Sequence, residues 1–432
     1  MGAKIGYASL PVFWLAFEYI HLNWQLSWPW LTLGFGFSNY VCFLQWYKFT
    51  GPLGGSLWIW LCNIAVFVFI CKKWLSTISL SINRIGIPLA LIILPSWASF
   101  LIYWSHPLPD KQKGVNVVVV QPNIDPYNEK FSGNYAEQLT KMFALADTKV
   151  DSTTSYLIFP ETALTDSEIW ENKFSDNASI RQVWGYLHKH PNLKLITGAE
   201  TYKAYLDGEK PSESARKFDS EDGYYDAFNT AMQMDSSKRI EVYHKSKLVP
   251  GVEFMPFSKL LAPLGKLAFD LGGTSGTLGT QKEPSVFYSS FSKTTIAPAV
   301  CYESIYGEYI GQYIKKGAQL LVVITNDGWW KDTPGYKQHL CYGAMLAAES
   351  GKDLVQCANT GISAIIDERG AILQKTKWWE PAVISASLHP NNTRTFYSLH
   401  GDYLGFYAII FSVLIILFVS IKKATGFFIS KG

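Results

Sequence analysis

Apolar and polar positions follow two different rhythms along this chain. Near both ends, apolar runs continue long enough to cross a hydrocarbon layer at helical rise. Leu404 to Ile421 gives 18 uncharged residues and is stopped by Lys422 and Lys423. Arg84 to Trp104 holds a similar run with Tyr103 and Trp104 at its end, where aromatic rings suit a membrane interface. Leu57 to Cys71 is a third, closed by Lys72 and Lys73. Two further runs, Ile5–Ile20 and Leu31–Trp46, are interrupted by Glu18, Asn39 and Gln45. The pattern predicts about four transmembrane helices in residues 1–105, a globular domain over 107–400 and a C-terminal span over 404–421.

Between the spans the rhythm shortens. Val115–Gln121 is a β-branched run ended by Pro122, which suits a strand buried on both faces. Similar runs occupy 156–159, 193–197, 230–234, 239–243, 294–300, 319–325, 354–358 and 363–367, with helical patterns over 134–148, 179–188 and 336–349. Short strands alternating with helices predict a layered α/β domain. Asp207–Gly223 reads as a surface loop.

Composition adds a limit and a direction. The net charge of +3 over 432 residues is too small to argue for nucleic acid. Lys72, Lys73, Arg84, Lys422, Lys423 and Lys431 favour one face of the membrane; Lys4, Lys48, Lys111 and Lys113 favour the other. The positive-inside rule then puts 107–400 on the face away from the cytoplasm. Six cysteines show no zinc spacing, a Cys341–Cys357 pair stays open, and neither a metal site nor a cofactor is expected.

Candidate chemistry sits at three strand ends. Ala297–Val300 runs into Cys301, Tyr302 and Glu303 and then a turn, Ser304 to Gly307, which is how a thiol is displayed beside backbone N–H groups. Glu161 follows the strand ending Phe159–Pro160, and Lys245 follows the one ending Tyr243–His244. In layered α/β sheets the carboxyl ends of strands line the site. A carboxylate can take a thiol's proton and an ammonium can stabilise charge on sulfur or on an oxyanion. Taken singly, each residue also has a plain structural reading: a buried cysteine, a helix-start carboxylate, an exposed lysine.

Together, Phe159-Pro160-Glu161, Tyr243 through Pro250 and Cys301-Tyr302-Glu303 resemble the Glu–Lys–Cys signature of the nitrilase (carbon–nitrogen hydrolase) superfamily. Within it, Leu248-Val249-Pro250-Gly251-Val252-Glu253-Phe254-Met255-Pro256, Val119 to Ile124, Asn326 to Trp330 and Ala358 to Ser363 are similar to segments of the bacterial apolipoprotein N-acyltransferases. The resemblance implies a multi-span helical membrane region joined to a nitrilase-like αββα sandwich. It implies Cys301 as nucleophile, Glu161 as general base and Lys245 as transition-state stabiliser, Lys247 being the rival lysine. Glu253, Tyr302 and Glu303 match supporting residues. Phe131 falls about where the family carries a tryptophan on a mobile arm, and Phe254, Trp329 and Trp330 would form an acyl-facing rim with Met255 and Phe257. Two departures stand out. The chain starts as if three N-terminal spans were absent, and Gly251-Val252 replaces the family's Phe-Gly.

The implied reaction moves an acyl chain from a phospholipid, through a thioester on Cys301, to the α-amino group of a diacylglyceryl-modified apolipoprotein. The implied setting is the bacterial inner membrane, with the catalytic domain on the periplasmic side, the bilayer as partner and a monomeric chain. Two alternatives share the sequence features: a membrane-anchored amidase, and an inactive lipoprotein-binding scaffold.

Overall fold

The computed structural model describes residues 3–69, 82–105, 114–130, 134–219, 222–257 and 277–429. The expectations for Phe131 and for Cys71, Lys72 and Lys73 lie outside them. The chain forms two compact units, Met1–His106 with Thr395–Gly432, and Pro107–Arg394.

In the first unit, α1 (Ala3–Leu22), α2 (Tyr47–Phe69) and α3 (Ile82–Ser105) precede the domain, and a long helix, Tyr403–Ile429, closes the chain. Among the described residues, three segments are long and apolar enough to cross a membrane: Tyr47–Phe69, Gly86–Ser105 and Tyr403–Lys423. The stretch Leu31–Trp46, expected as a span, is not one. It folds into three short 3-10 turns, Pro29–Leu31, Leu33–Phe37 and Val41–Phe43. Such a segment leaves backbone groups that a helix would have satisfied internally, and side chains from the helices take them. Glu18 Oε1 accepts from Leu33 N at 2.8 Å, Ser56 Oγ from Gly34 N at 3.0 Å and Ser99 Oγ from Gln45 N at 2.6 Å. The Tyr47 hydroxyl donates to Gly34 O at 2.8 Å. Gly34 is required there, because a Cβ would stand 1.9 Å from the Pro52 carbonyl oxygen.

The second unit is an αββα sandwich. One sheet runs β14-β1-β2-β4-β6-β5, with β3 beside β4 and β7 beside β6. Its members are β1 (Val115–Gln121), β2 (Thr154–Ile158), β3 (Leu164–Trp170), β4 (Lys194–Ala204), β5 (Arg216–Lys217), β6 (Tyr224–Met234), β7 (Ile240–His244) and β14 (Ala382–Leu388). The other runs β13-β12-β11-β10-β9-β8, from β8 (Phe287–Ser289), β9 (Thr294–Val300), β10 (Leu320–Thr325), β11 (Leu354–Ala358), β12 (Ala364–Ile366) and β13 (Ile372–Lys375).

Helices α4 (Tyr135–Ala146) and α5 (Ala178–Lys189) bury Leu139, Met142, Phe143, Ile180, Val183 and Leu187 against the first sheet. Helices α6 (Gly307–Lys315) and α7 (Gly335–Ser350) pack on the second. Between the sheets, the Cys357 sulfur on β11 lies 3.4 Å from the carbonyl oxygens of both Val120 and Ile158, with one hydrogen to give between them, and Cys341 and Cys357 are both free.

Strand direction gathers the site. β1, β2 and β4 are mutually parallel, as are β9, β10 and β11. β6 runs against β4 and β7 against β6, so β7 shares the direction of β2 and β4. Residues just past β2, β7, β9 and β10 therefore come from carboxyl ends, as the layered pattern predicts.

Candidate functional site

Cys301 opens a 3-10 turn, Cys301–Ile305, immediately after β9. Its φ is +50°, in the left-handed region that costs a non-glycine residue free energy. Asn123 after β1 and Thr162 after β2 share this conformation, with φ of +52° and +45°. Strained backbone of this kind concentrates where geometry serves chemistry.

Glu161 lies in the turn between β2 and β3. That turn presses on Gly198 of β4, where a Cβ would fall 2.4 Å from Thr162 N and 2.6 Å from Glu161 Cα. Lys245 follows β7, and its backbone N–H donates to Asn229 O on β6 at 2.8 Å. Lys245 is 1% exposed, which removes the exposed-lysine reading. Its Nζ donates to Glu161 Oε1 at 3.2 Å and to Glu253 Oε1 at 2.9 Å. Asn229 Nδ2 bridges the same two oxygens at 2.8 and 2.9 Å, and Asn326 N donates to Glu161 Oε2 at 3.0 Å.

These contacts fix the charges. Burial alone would raise the Glu161 carboxyl, but Lys245, Asn229 and Lys130 outweigh it and hold the group below its usual value, ionised. Burial likewise opposes the Lys245 charge, and Glu253, Glu161 and Cys301 overcome it, so the ammonium stays protonated well past the ordinary lysine range. Cys301 keeps some exposed surface, yet burial pushes its thiol well up, Glu161 adds to the rise, and Lys245 and a Thr325 hydrogen bond pull the other way. The resting arrangement is a neutral thiol beside a ready carboxylate and a fixed cation.

Glu253 sits in a tight loop. Its Oε2 accepts from Val249 N at 2.8 Å, and Gly251, at φ +78°, donates its N–H to Phe254 O at 2.8 Å. A glycine at the left-handed position lets this sequence close the loop around Glu253. Glu303 is fully buried and braces two segments. Its Oε1 accepts from Tyr243 Oη at 2.6 Å, Ser246 N at 2.6 Å and Lys247 N at 3.1 Å, while Oε2 accepts from Val300 N at 3.0 Å. It ties the Lys245 loop to the Cys301 turn. Tyr302 is 2% exposed and meets Tyr306 edge-on. Lys247, the rival, lies over the rings of Tyr306 and Tyr309.

The expected apolar rim is uneven. Trp329 is half exposed and packs edge-on against Tyr127 at 5.2 Å. Trp330 covers Gly335 at the start of α7. Phe254 packs inward against the cluster of Ala227, Leu248 and Leu278.

Several residues that sequence reasoning passed over belong to this cluster. Lys130 is buried, and its Nζ donates to Glu161 O at 3.2 Å and to Thr162 Oγ1. Burial brings its ammonium down to about 8, partly offset by Glu161, Cys301 and Glu200. Asn229 lies mid-strand and gave no local signal. His339, on α7, reaches the Cys301 turn from behind.

Residues 116–397 match the family described as Carbon-nitrogen hydrolase, and residues 3–65 match the Apolipoprotein N-acyltransferase N-terminal domain. The chain is similar to the apolipoprotein N-acyltransferase of Chlorobaculum tepidum, at 27% identity over 93% of this chain and 74% of that one. It is also similar to the Photobacterium profundum protein of the same name, at 27% identity over 97% of this chain and 74% of that one. Among solved structures, a mutant of the Nesterenkonia AN1 amidase from the nitrilase superfamily aligns with 69% of this chain and 95% of its own, at 16% identity and a TM-score of 0.44. The chain belongs to the carbon–nitrogen hydrolase family, and ahead of that domain it carries an apolipoprotein N-acyltransferase N-terminal domain.

Proposed function

We propose that this chain is a membrane N-acyltransferase that transfers an acyl group from a phospholipid to the α-amino group of a diacylglyceryl-cysteine at a lipoprotein N-terminus. The observation that carries this reading is Lys245, buried between Glu161 and Glu253 at the strand ends that also bring Cys301. Three apolar helices and relatives bearing the acyltransferase name support a lipid substrate over a soluble amide.

In the first half-reaction Glu161 takes the Cys301 proton as sulfur attacks the ester carbonyl. Lys245 donates to the oxyanion, the C–O bond breaks, and Glu161 returns the proton to the lysophospholipid oxygen. In the second, the lipoprotein amine attacks the thioester, Glu161 accepts its proton and the C–S bond breaks. That proton then returns to the departing thiolate. Glu253 orients Lys245, and Glu303 keeps its loop against the Cys301 turn. The acyl chain stays in the bilayer throughout, since each CH₂ moved to water costs about 0.8 kcal/mol. On the charge asymmetry of the loops, the reaction takes place on the periplasmic side of the inner membrane.

Incubating the purified protein with phospholipid vesicles is expected to add one hydroxylamine-labile acyl mass to Cys301, seen by intact mass, and Cys301→Ala is expected to abolish it. Turnover of short soluble amides with no such adduct would replace this reading with an amidase.

A further inference from the structure

Behind Cys301 runs a hydrogen-bonded chain that the acyl-transfer steps do not use. The Ser304 hydroxyl donates to the Cys301 carbonyl at 2.7 Å. The same Oγ lies 2.9 Å from His339 Nε2, and His339 Nδ1 lies 2.8 Å from Asp327 Oδ1. Thr325 Oγ1 donates to that carboxylate oxygen at 2.8 Å. Ser304, Thr325, Asp327 and His339 are each at most 3% exposed.

Counting hydrogens favours one state of the ring, the one that serves all three contacts at once. A serine hydroxyl has one hydrogen, and a backbone carbonyl can only accept, so the shorter 2.7 Å contact with Cys301 forms only when Ser304 points its hydrogen there. Its remaining contact requires Nε2 to carry a proton. An ionised carboxylate also only accepts, so Nδ1 must carry one as well. A neutral imidazole would leave one of these three buried contacts without a proton, because Ser304 would have to turn its hydrogen from the Cys301 carbonyl to Nε2.

We propose that His339 is held as a buried imidazolium and acts as a positioning residue, fixing through Ser304 the left-handed backbone on which Cys301 is displayed. Asp327 faces the ring from the turn after β10, Glu161 from the turn after β2, and Cys301 and Ser304 from the turn after β9. Burial opposes the positive charge, but Asp327, then Glu161 and the Cys301 carbonyl, more than offset it, so protonation persists above the ordinary histidine value. With the folded value raised, the support is complete at lower pH and is lost as pH rises through that value.

The inference rests on Cys301 as nucleophile only for its consequence, so the test separates the two. In detergent-solubilised protein carrying ¹⁵N-histidine, the His339 signals, assigned by their loss in His339→Gln, are expected to show both ring nitrogens protonated at neutral pH. Site-resolved iodoacetamide labelling of Cys301 and its acylation by phospholipid are both expected to fall about ten- to a hundredfold in His339→Leu. His339→Gln, which keeps a donor for Ser304, should recover part of both. A neutral tautomer in the wild-type spectrum overturns the proposal even if no variant folds. Unchanged labelling and acylation in folded His339→Leu overturn it too. An imidazolium signal with labelling lost in His339→Leu, but no acyl adduct on the wild type, upholds it and overturns the acyltransferase reading alone.

Discussion

Lys130 and Glu303 show how differently two buried charges behave. Lys130 titrates at about 8 in the folded protein because burial outweighs its carboxylate neighbours. The unfolded chain holds that proton more tightly, so this residue makes stability rise as pH climbs from about 8 toward the ordinary lysine value. Lys130→Met is therefore expected to melt no lower than wild type at neutral pH and to lack the alkaline gain. Its acyl-Cys301 yield should fall about tenfold or more, because a cation beside Glu161 and the thiol is gone. Thermal melts at two pH values with intact-mass yields check this; a lower neutral melting temperature would mark Lys130 as a structural residue. Burial raises the Glu303 carboxyl too, despite its hydrogen bonds, and the difference lies in what that carboxylate holds together. Its carboxylate serves three backbone N–H groups and the Tyr243 hydroxyl. Glu303→Ala leaves those donors unmatched and should cost about 3 kcal/mol or more in denaturant unfolding. A loss within experimental error would show that the Lys245 loop holds its place without Glu303.

Among elements, β4 sets the position of the Glu161 turn by having no side chain at Gly198. Gly198→Ala is expected to fold, since the position lies in ordinary strand, and to displace Glu161 from Lys245. Acylation should drop by about two orders of magnitude with a much smaller change in melting temperature. Equal activity in the variant would mean the turn yields without cost. In the first unit, the turns over 29–43 explain why polar residues sit in otherwise apolar helices. Glu18, Ser56 and Ser99 are partners for backbone N–H groups that the turns do not pair internally, not flaws in spans.

For the whole molecule, much of the plan was legible before any coordinates. The long apolar runs mark the helical unit, and short apolar runs mark the strands whose ends carry Glu161, Lys245 and Cys301. The expected span over 31–46 misled because hydropathy measures side chains, whereas that segment is shaped by Gly34, Pro29 and hydrogen bonds from other helices. Asn229, Lys130 and His339 were hidden for another reason: each matters through a partner far away in sequence. Strands β3, β5, β8, β13 and β14 were missed because they are short, partly exposed or not β-branched, and tertiary pairing alone defines them. The apolar helices carry one further expectation. An alkaline carbonate wash of membranes should leave the chain in the pellet, and its release would argue against spanning helices.

The sulfur of Cys357 rests between two carbonyls of the facing sheet. The strands that supply those oxygens, β1 and β2, lead directly into the left-handed turns at Asn123 and Thr162. The width of a single thiol thus sets the gauge of the sandwich just beneath the proposed site. A bulkier atom group there would spread the rails and pull Glu161 out of line without touching it.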